Sequence, residues 1–86
     1  MAMATFFIQD IFRIAGVGIV ITGQVKSGTL TMGMKLDIGK IMEIKSMEMH
    51  NMSAREAHEG DNVGIVLSNA DFDLIKNYVR KEVKFF

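Results

Sequence analysis

Cysteine and proline are both missing from this 86-residue chain, and so is any excess of one charge. Without cysteine, neither disulfides nor thiolate-rich metal sites can form, which fits a reducing compartment. Ten Lys and Arg against ten Asp and Glu leave a formal net charge of zero. A domain that grips nucleic acid through its phosphates is usually clearly basic. Any RNA contact here therefore has to be local, dependent on shape or stacking, or shared with a more basic partner. Near-zero charge also favours self-association. No apolar run approaches the ~18 residues that a membrane span needs, and the N-terminus has no basic-then-apolar leader. A soluble cytoplasmic protein is expected. There is also no GxxxxGKS or GxxxxGKT sequence, so no phosphate loop is available to cradle a nucleoside triphosphate. We expect no bound GTP, no cofactor and no enzymatic activity from this chain.

What is present is apolar: 49% of the residues are hydrophobic. A chain of this length makes one domain and buries only about two-thirds of its unfolded surface. With no linker, charge block or internal repeat, residues 5–86 read as one compact unit, and Met1 to Ala4 as a disordered end. Phe6 to Phe12 is rich in aromatic and branched residues and reads as a strand. Simple alternation puts Ile8, Asp10 and Phe12 on one face, and Phe7, Gln9 and Ile11 on the other. Gly16 and Gly18 mark a turn, and Ile19 to Val25 a second strand in which Gly23 suggests a bulge or sharp bend. Lys26-Ser27-Gly28-Thr29 reads as a hairpin turn. Lys35 to Ile38, Ile41 to Met49 and Asn62 to Leu67 supply further strands. Ser53 and Glu56 have capping-box spacing, which we read as a turn over the end of the domain. Asp71 to Asn77 suits a short helix or turn capped by Asn69 or Asp71, and Val79 to Phe86 alternates as a closing strand. Short strands between glycine turns indicate an all-β fold, and closure into a barrel removes exposed edges.

Six pieces of this sequence, in order, resemble one family. They are Gln9-Asp10-Ile11-Phe12, Gly16-Val17-Gly18, Val20-Ile21-Thr22-Gly23, Val25-Lys26-Ser27-Gly28-Thr29, Met47-Glu48-Met49-His50 and Gly60-Asp61-Asn62-Val63-Gly64. Together they are similar to the second domain of the translational GTPases, the EF-Tu superfamily, with Met47 to His50 most like the archaeal and eukaryotic branch. The resemblance covers about Phe6 to Leu67 and implies a small closed Greek-key β-barrel. It implies a module that packs on a GTPase domain, helps to hold the aminoacylated end of tRNA and touches the small ribosomal subunit. Carried over by motif, the RNA- or aminoacyl-binding positions are Gln9, Asp10, Phe12, Thr22, His50 and Asn62. Two departures remove groups that would serve such a ligand. Gln9 stands where the family more often has glutamate, and Val17 where an arginine is frequent. Nearer the C-terminus, Lys76-Asn77-Tyr78-Val79 replaces the family's Arg-Gly pair, and Asn77 is a candidate for the left-handed residue there. We expect the barrel to stand alone.

Each candidate has a plainer reading beside the functional one. Phe12 and Thr22 suit a pocket for an adenine or an amino-acid side chain, or else barrel core and ordinary strand. Asp10 suits an amine or ribose hydroxyl, or else backbone amides at the neighbouring glycine turn. Asn62 suits a ligand groove, or else hydrogen bonds that close its own turn. His50 and His58, eight apart among glutamates, make a poor metal signature, and a surface or structural role fits both. His50 is the better candidate for RNA contact. Met32, Met34, Met42, Met47, Met49 and Met52 fill core space or form an exposed patch. The expected function is a non-enzymatic binding module in translation whose ligand is RNA, either tRNA acceptor end or ribosomal RNA. A protein-interaction module, docking to a GTPase or self-associating, is the competing expectation.

Overall fold

Apolar residues at every second position give each long strand one face for a core, and the strands satisfy one another's backbone groups by curling into a ring. The computed structural model describes residues 3–86. Its strands are β1 (Ala4–Ile14), β2 (Gly18–Ser27), β3 (Thr29–Thr31), β4 (Lys35–Asp37), β5 (Ile41–Met49), β6 (Met52–Ala54), β7 (Glu56–His58), β8 (Asn62–Ser68) and β9 (Glu82–Phe85). A short helix, α1 (Phe72–Ile75), and a 3₁₀ turn over Lys76–Tyr78 lie between β8 and β9. The strand order β4-β9-β1-β2-β8-β5 returns to β4 through the β4–β5 pairing, so six antiparallel strands close a barrel. The expected all-β closed barrel is therefore present, with β6 attached to the free side of β5.

Inside the ring, Phe6, Ile8, Ile21, Met42, Ile65 and Phe85 are completely buried. Phe6 and Phe85 meet edge-on, with centroids 6.2 Å apart, a favoured geometry for aromatic pairs. β9 closes the cylinder, with Val83 and Phe85 inward and Glu82 and Lys84 exposed, but it begins only at Glu82: Val79 to Lys81, expected in the same strand, form a turn and bend instead. One end of the barrel is covered by the β3–β7 pair, where Leu30 lies opposite Ala57 and both are fully buried. The other end is covered by α1, whose Ile75 is also fully buried. Asp71 caps that helix, its carboxylate accepting from the Leu74 amide at 3.1 Å.

Several expectations need correction. Ala4 belongs to β1, pairs with Phe85 and is buried, so the structured chain begins before Thr5. Met1 and Ala2 lie outside the described residues. β1 does not alternate simply, because a bulge falls between Ile8 and Asp10. The extra residue, Gln9, reverses the parity, so Ile8 faces the core while Asp10 and Phe12 share the outer face with Thr22 and Val20. Lys26 to Thr29 is no hairpin: β2 pairs with β1 and β8, whereas β3 crosses to β7. Gly28 is the corner, with φ +72°, and a side chain there would run into the Met3 carbonyl. Ser53 to Glu56 is not a capped turn either. Its residues enter β6 and β7, drawn into pairing by the burial of Ala57. The left-handed residue near the C-terminus is Arg80 (φ 68°), not Asn77. Asn77 instead donates its side-chain amide to the Asp73 carbonyl.

Candidate functional site

The outer face of the β1–β2–β8–β5 sheet carries an open groove of about 920 Å³. Its floor follows from two registers that meet on β8. Gly64 lies opposite Thr22 on one side and Glu48 on the other, and Val66 lies between Val20 and Ser46. Gly64 keeps the floor low, because it is flanked by side chains and has none of its own. A Cβ built there meets nothing nearer than 3.9 Å. The hollow is therefore a missing side chain and not a strained backbone.

Two hairpins raise the walls. On the β1–β2 side stand Phe12, Ile14 and Val17, between 44% and 47% exposed despite their size. On the β5–β6 side stand His50 and Asn51, the two residues between the paired Met49 and Met52. Both have positive φ, 53° and 62°, as a type I′ hairpin turn requires. The turn lifts the His50 imidazole to the rim. Gln9 and Asn62 complete the opposite end. The lining is mainly apolar, and its one carboxylate is that of Glu48. No lysine or arginine lines it.

Of the six residues expected to bind, five line this groove: Gln9, Phe12, Thr22, His50 and Asn62. Phe12 is not core, and the bulge at Gln9 is the reason it faces outward. Asp10 does not line the groove. Its carboxylate turns back to accept from the Ile11 amide at 2.8 Å, in the bulge and not at the glycine turn. Asn62 does not close its own turn; Asp61 does, accepting from the His58 amide at 2.8 Å. His58 lies away from the groove, with Nδ1 3.3 Å from the Thr29 hydroxyl and Nε2 3.3 Å from Glu56. The methionines divide. Met34, Met42 and Met47 are buried, whereas Met32 and Met52 are exposed.

Glu48, Gly64, Ile14 and Val17 were not named as site residues from the sequence. A signal for Glu48 was present: strand alternation puts it on the face opposite Met47. The groove-forming role of Gly64 depends on its neighbours across two strands and has no local signature.

A family model described as Elongation factor Tu domain 2 matches residues 18–77. The chain belongs to this family. Elongation factor 1-alpha of Stylonychia lemnae is 41% identical over 81 residues, covering 90% of the chain and 18% of that protein. Elongation factor 1-alpha of Pyrobaculum calidifontis is 43% identical over 61 residues, covering 67% of the chain and 14% of that protein. This domain 2 barrel thus spans less than a fifth of the relatives it matches. A bacterial selenocysteine-specific elongation factor, EF-Sec, has the same fold, with TM-score 0.79 at 24% identity over 95% of this chain and 14% of its own. Elongation factor SelB from Methanococcus maripaludis gives TM-score 0.78 at 26% identity, over 96% of this chain and 18% of its own. No helix among the described residues is long and apolar enough to cross a membrane.

Proposed function

We propose that this barrel is a non-catalytic binding module of the cytoplasmic translation machinery, whose groove receives the unstacked 3′ end of an RNA, such as a tRNA acceptor end or a ribosomal RNA segment. The observation that carries the reading is the convergence of Gln9, Phe12, Thr22, His50 and Asn62 on one outer-face groove. Phe12 and His50 offer flat surfaces at opposite walls, and stacking of one base is worth about 1–3 kcal/mol. Thr22, Asn62 and Gln9 offer neutral donors and acceptors for base edges or ribose. Glu48 offers a carboxylate to a cationic group such as an aminoacyl ammonium. With no cation in the lining, recognition rests on shape and stacking and not on phosphate neutralisation. Tight binding then needs further contacts from a partner.

An amide NMR titration with a short RNA ending in CCA tests this. The expected result is saturable shifts at Phe12, Thr22, Glu48, His50 and Asn62. Shifts confined to the basic residues Lys76, Arg80, Lys81 and Lys84 would overturn it.

The second reading is a protein partner on the same face, favoured by the exposure of Phe12, Ile14 and Val17. Competition separates the two: free adenosine displaces an RNA end that stacks in the groove, and ribonuclease abolishes that association, while apolar docking of a protein survives ribonuclease.

A further inference from the structure

A second hollow, of about 620 Å³, adjoins the groove and shares Ser46, Met47 and Ser53 with it. Its remaining lining includes Thr31, Met32 and Arg55. The β5–β6 register explains why these polar groups gather. Met47 pairs with Ala54 and Glu48 with Ser53, which sets Ser53 on the outer face, and at the bend that follows β6 Arg55 lines the same hollow as Ser46. Thr31 arrives from β3, which pairs with β7 directly after Arg55. The side chains of Arg55, Ser46, Ser53 and Thr31 have no hydrogen-bond or ion-pair partner among the described residues. Among the described residues, the ion pairs are His58–Glu56 and Lys76–Asp73, leaving Arg55 without a carboxylate within 4.0 Å. The side-chain hydroxyls that form hydrogen bonds are those of Thr5, Ser27, Thr29 and Ser68, and not those of Thr31, Ser46 or Ser53. Glu48 shares the face but does not pair with the guanidinium.

We infer that this hollow is a phosphate subsite, in which Arg55 and the hydroxyls of Ser46, Ser53 and Thr31 take a phosphodiester whose neighbouring base lies in the groove. The inference builds on the proposed RNA-binding reading and adds the cation that the groove itself lacks. A guanidinium presents several N–H donors to phosphate oxygens, and hydroxyls supply the rest. The site is open to solvent, so the Arg55 contribution is about fivefold in affinity.

The test compares wild type with Arg55→Gln and Ser53→Ala, both at exposed positions that leave the core intact. Three probes are titrated at matched ionic strength and followed by NMR: inorganic phosphate, adenosine and the dinucleotide CpA. Phosphate is expected to shift the Arg55 side-chain N–H and the Ser53 and Thr31 amides. CpA is expected to bind about fivefold more tightly than adenosine, an advantage lost in Arg55→Gln while adenosine affinity stays unchanged. Phosphate shifts no larger than those of chloride, or confined to Lys76, Arg80, Lys81 and Lys84, overturn the subsite. So does an undiminished CpA advantage in Arg55→Gln. If adenosine leaves Phe12 and Thr22 unmoved, the groove reading alone fails, and the phosphate arm still decides the subsite.

Discussion

Phe12 and Gly64 have opposite relations to the groove, one building it and the other keeping it empty. Phe12 is 44% exposed and contributes little to the core. Phe12→Ala should therefore change stability by less than about 1 kcal/mol. The same substitution should weaken RNA binding by about tenfold, the loss of one stacking surface. Thermal melts and an NMR titration on the same sample check both halves. Gly64→Val gives the sharper test, because space around the Cβ is ordinary and a branched residue suits a strand. Its melting temperature should stay at or above wild type while groove binding is abolished. A Gly64→Val variant that binds as well as wild type would place the ligand elsewhere. Gly23 is the contrary case: a Cβ there collides with the Phe7 carbonyl and comes within 2.9 Å of the Phe6 ring. Gly23→Ala should cost roughly 2–3 kcal/mol, read from urea unfolding.

At the scale of elements, the β5–β6 hairpin couples the fold to the site. His50 and Asn51 both sit at positive φ, which asparagine tolerates and β-branched residues do not. Asn51→Val should destabilise the domain by about 1–2 kcal/mol and displace the His50 ring, raising the melting-curve penalty and the ligand Kd together. Asn51→Gly should keep the turn and leave both unchanged, which separates turn geometry from the loss of a side chain. The sequence offers a helix or turn with Asn69 or Asp71 as its cap, and the structure forms a short helix in which Asp71 accepts from Leu74 while Asn69 donates to the Ile41 carbonyl. The strand Ile41–Met49 also has its expected bounds. The cross-barrel pair β3–β7 was not legible, since its partners are 29 residues apart at Thr29 and His58. β3 and β7, three residues each with no glycine or apolar run within them, leave no periodic trace in the sequence.

For the molecule as a whole, closure rests on a four-residue strand. β9 bonds to β1 along its length and touches β4 at Leu36–Phe85. Phe85 is fully buried and packs on Phe6. Truncating it as Phe85→Ala should cost about 3–5 kcal/mol. A domain of this size is typically stable by only about 4–13 kcal/mol, so this is a large share of the total. A circular-dichroism melting temperature lowered by at least about 12 °C is the expected readout. Retention of near wild-type melting would mean that the cylinder does not depend on β9.

Alternation and glycine spacing already indicated an all-β fold, since burial of alternate residues and chirality at turns are local properties that a linear text carries, while the family and its barrel type came from motifs that resemble it. Five of the six residues that the sequence offered for binding line the groove, though they came through likeness to relatives and not through any periodicity of the text's own. Parity within β1, the role of Gly64 and the gathering of Arg55 with three hydroxyls were settled only on folding. Each depends on which residue faces which across paired strands, and a single bulge at Gln9 is enough to turn Phe12 from the interior to the surface. Cross-strand register is a property of the closed ring, and no segment read by itself contains it.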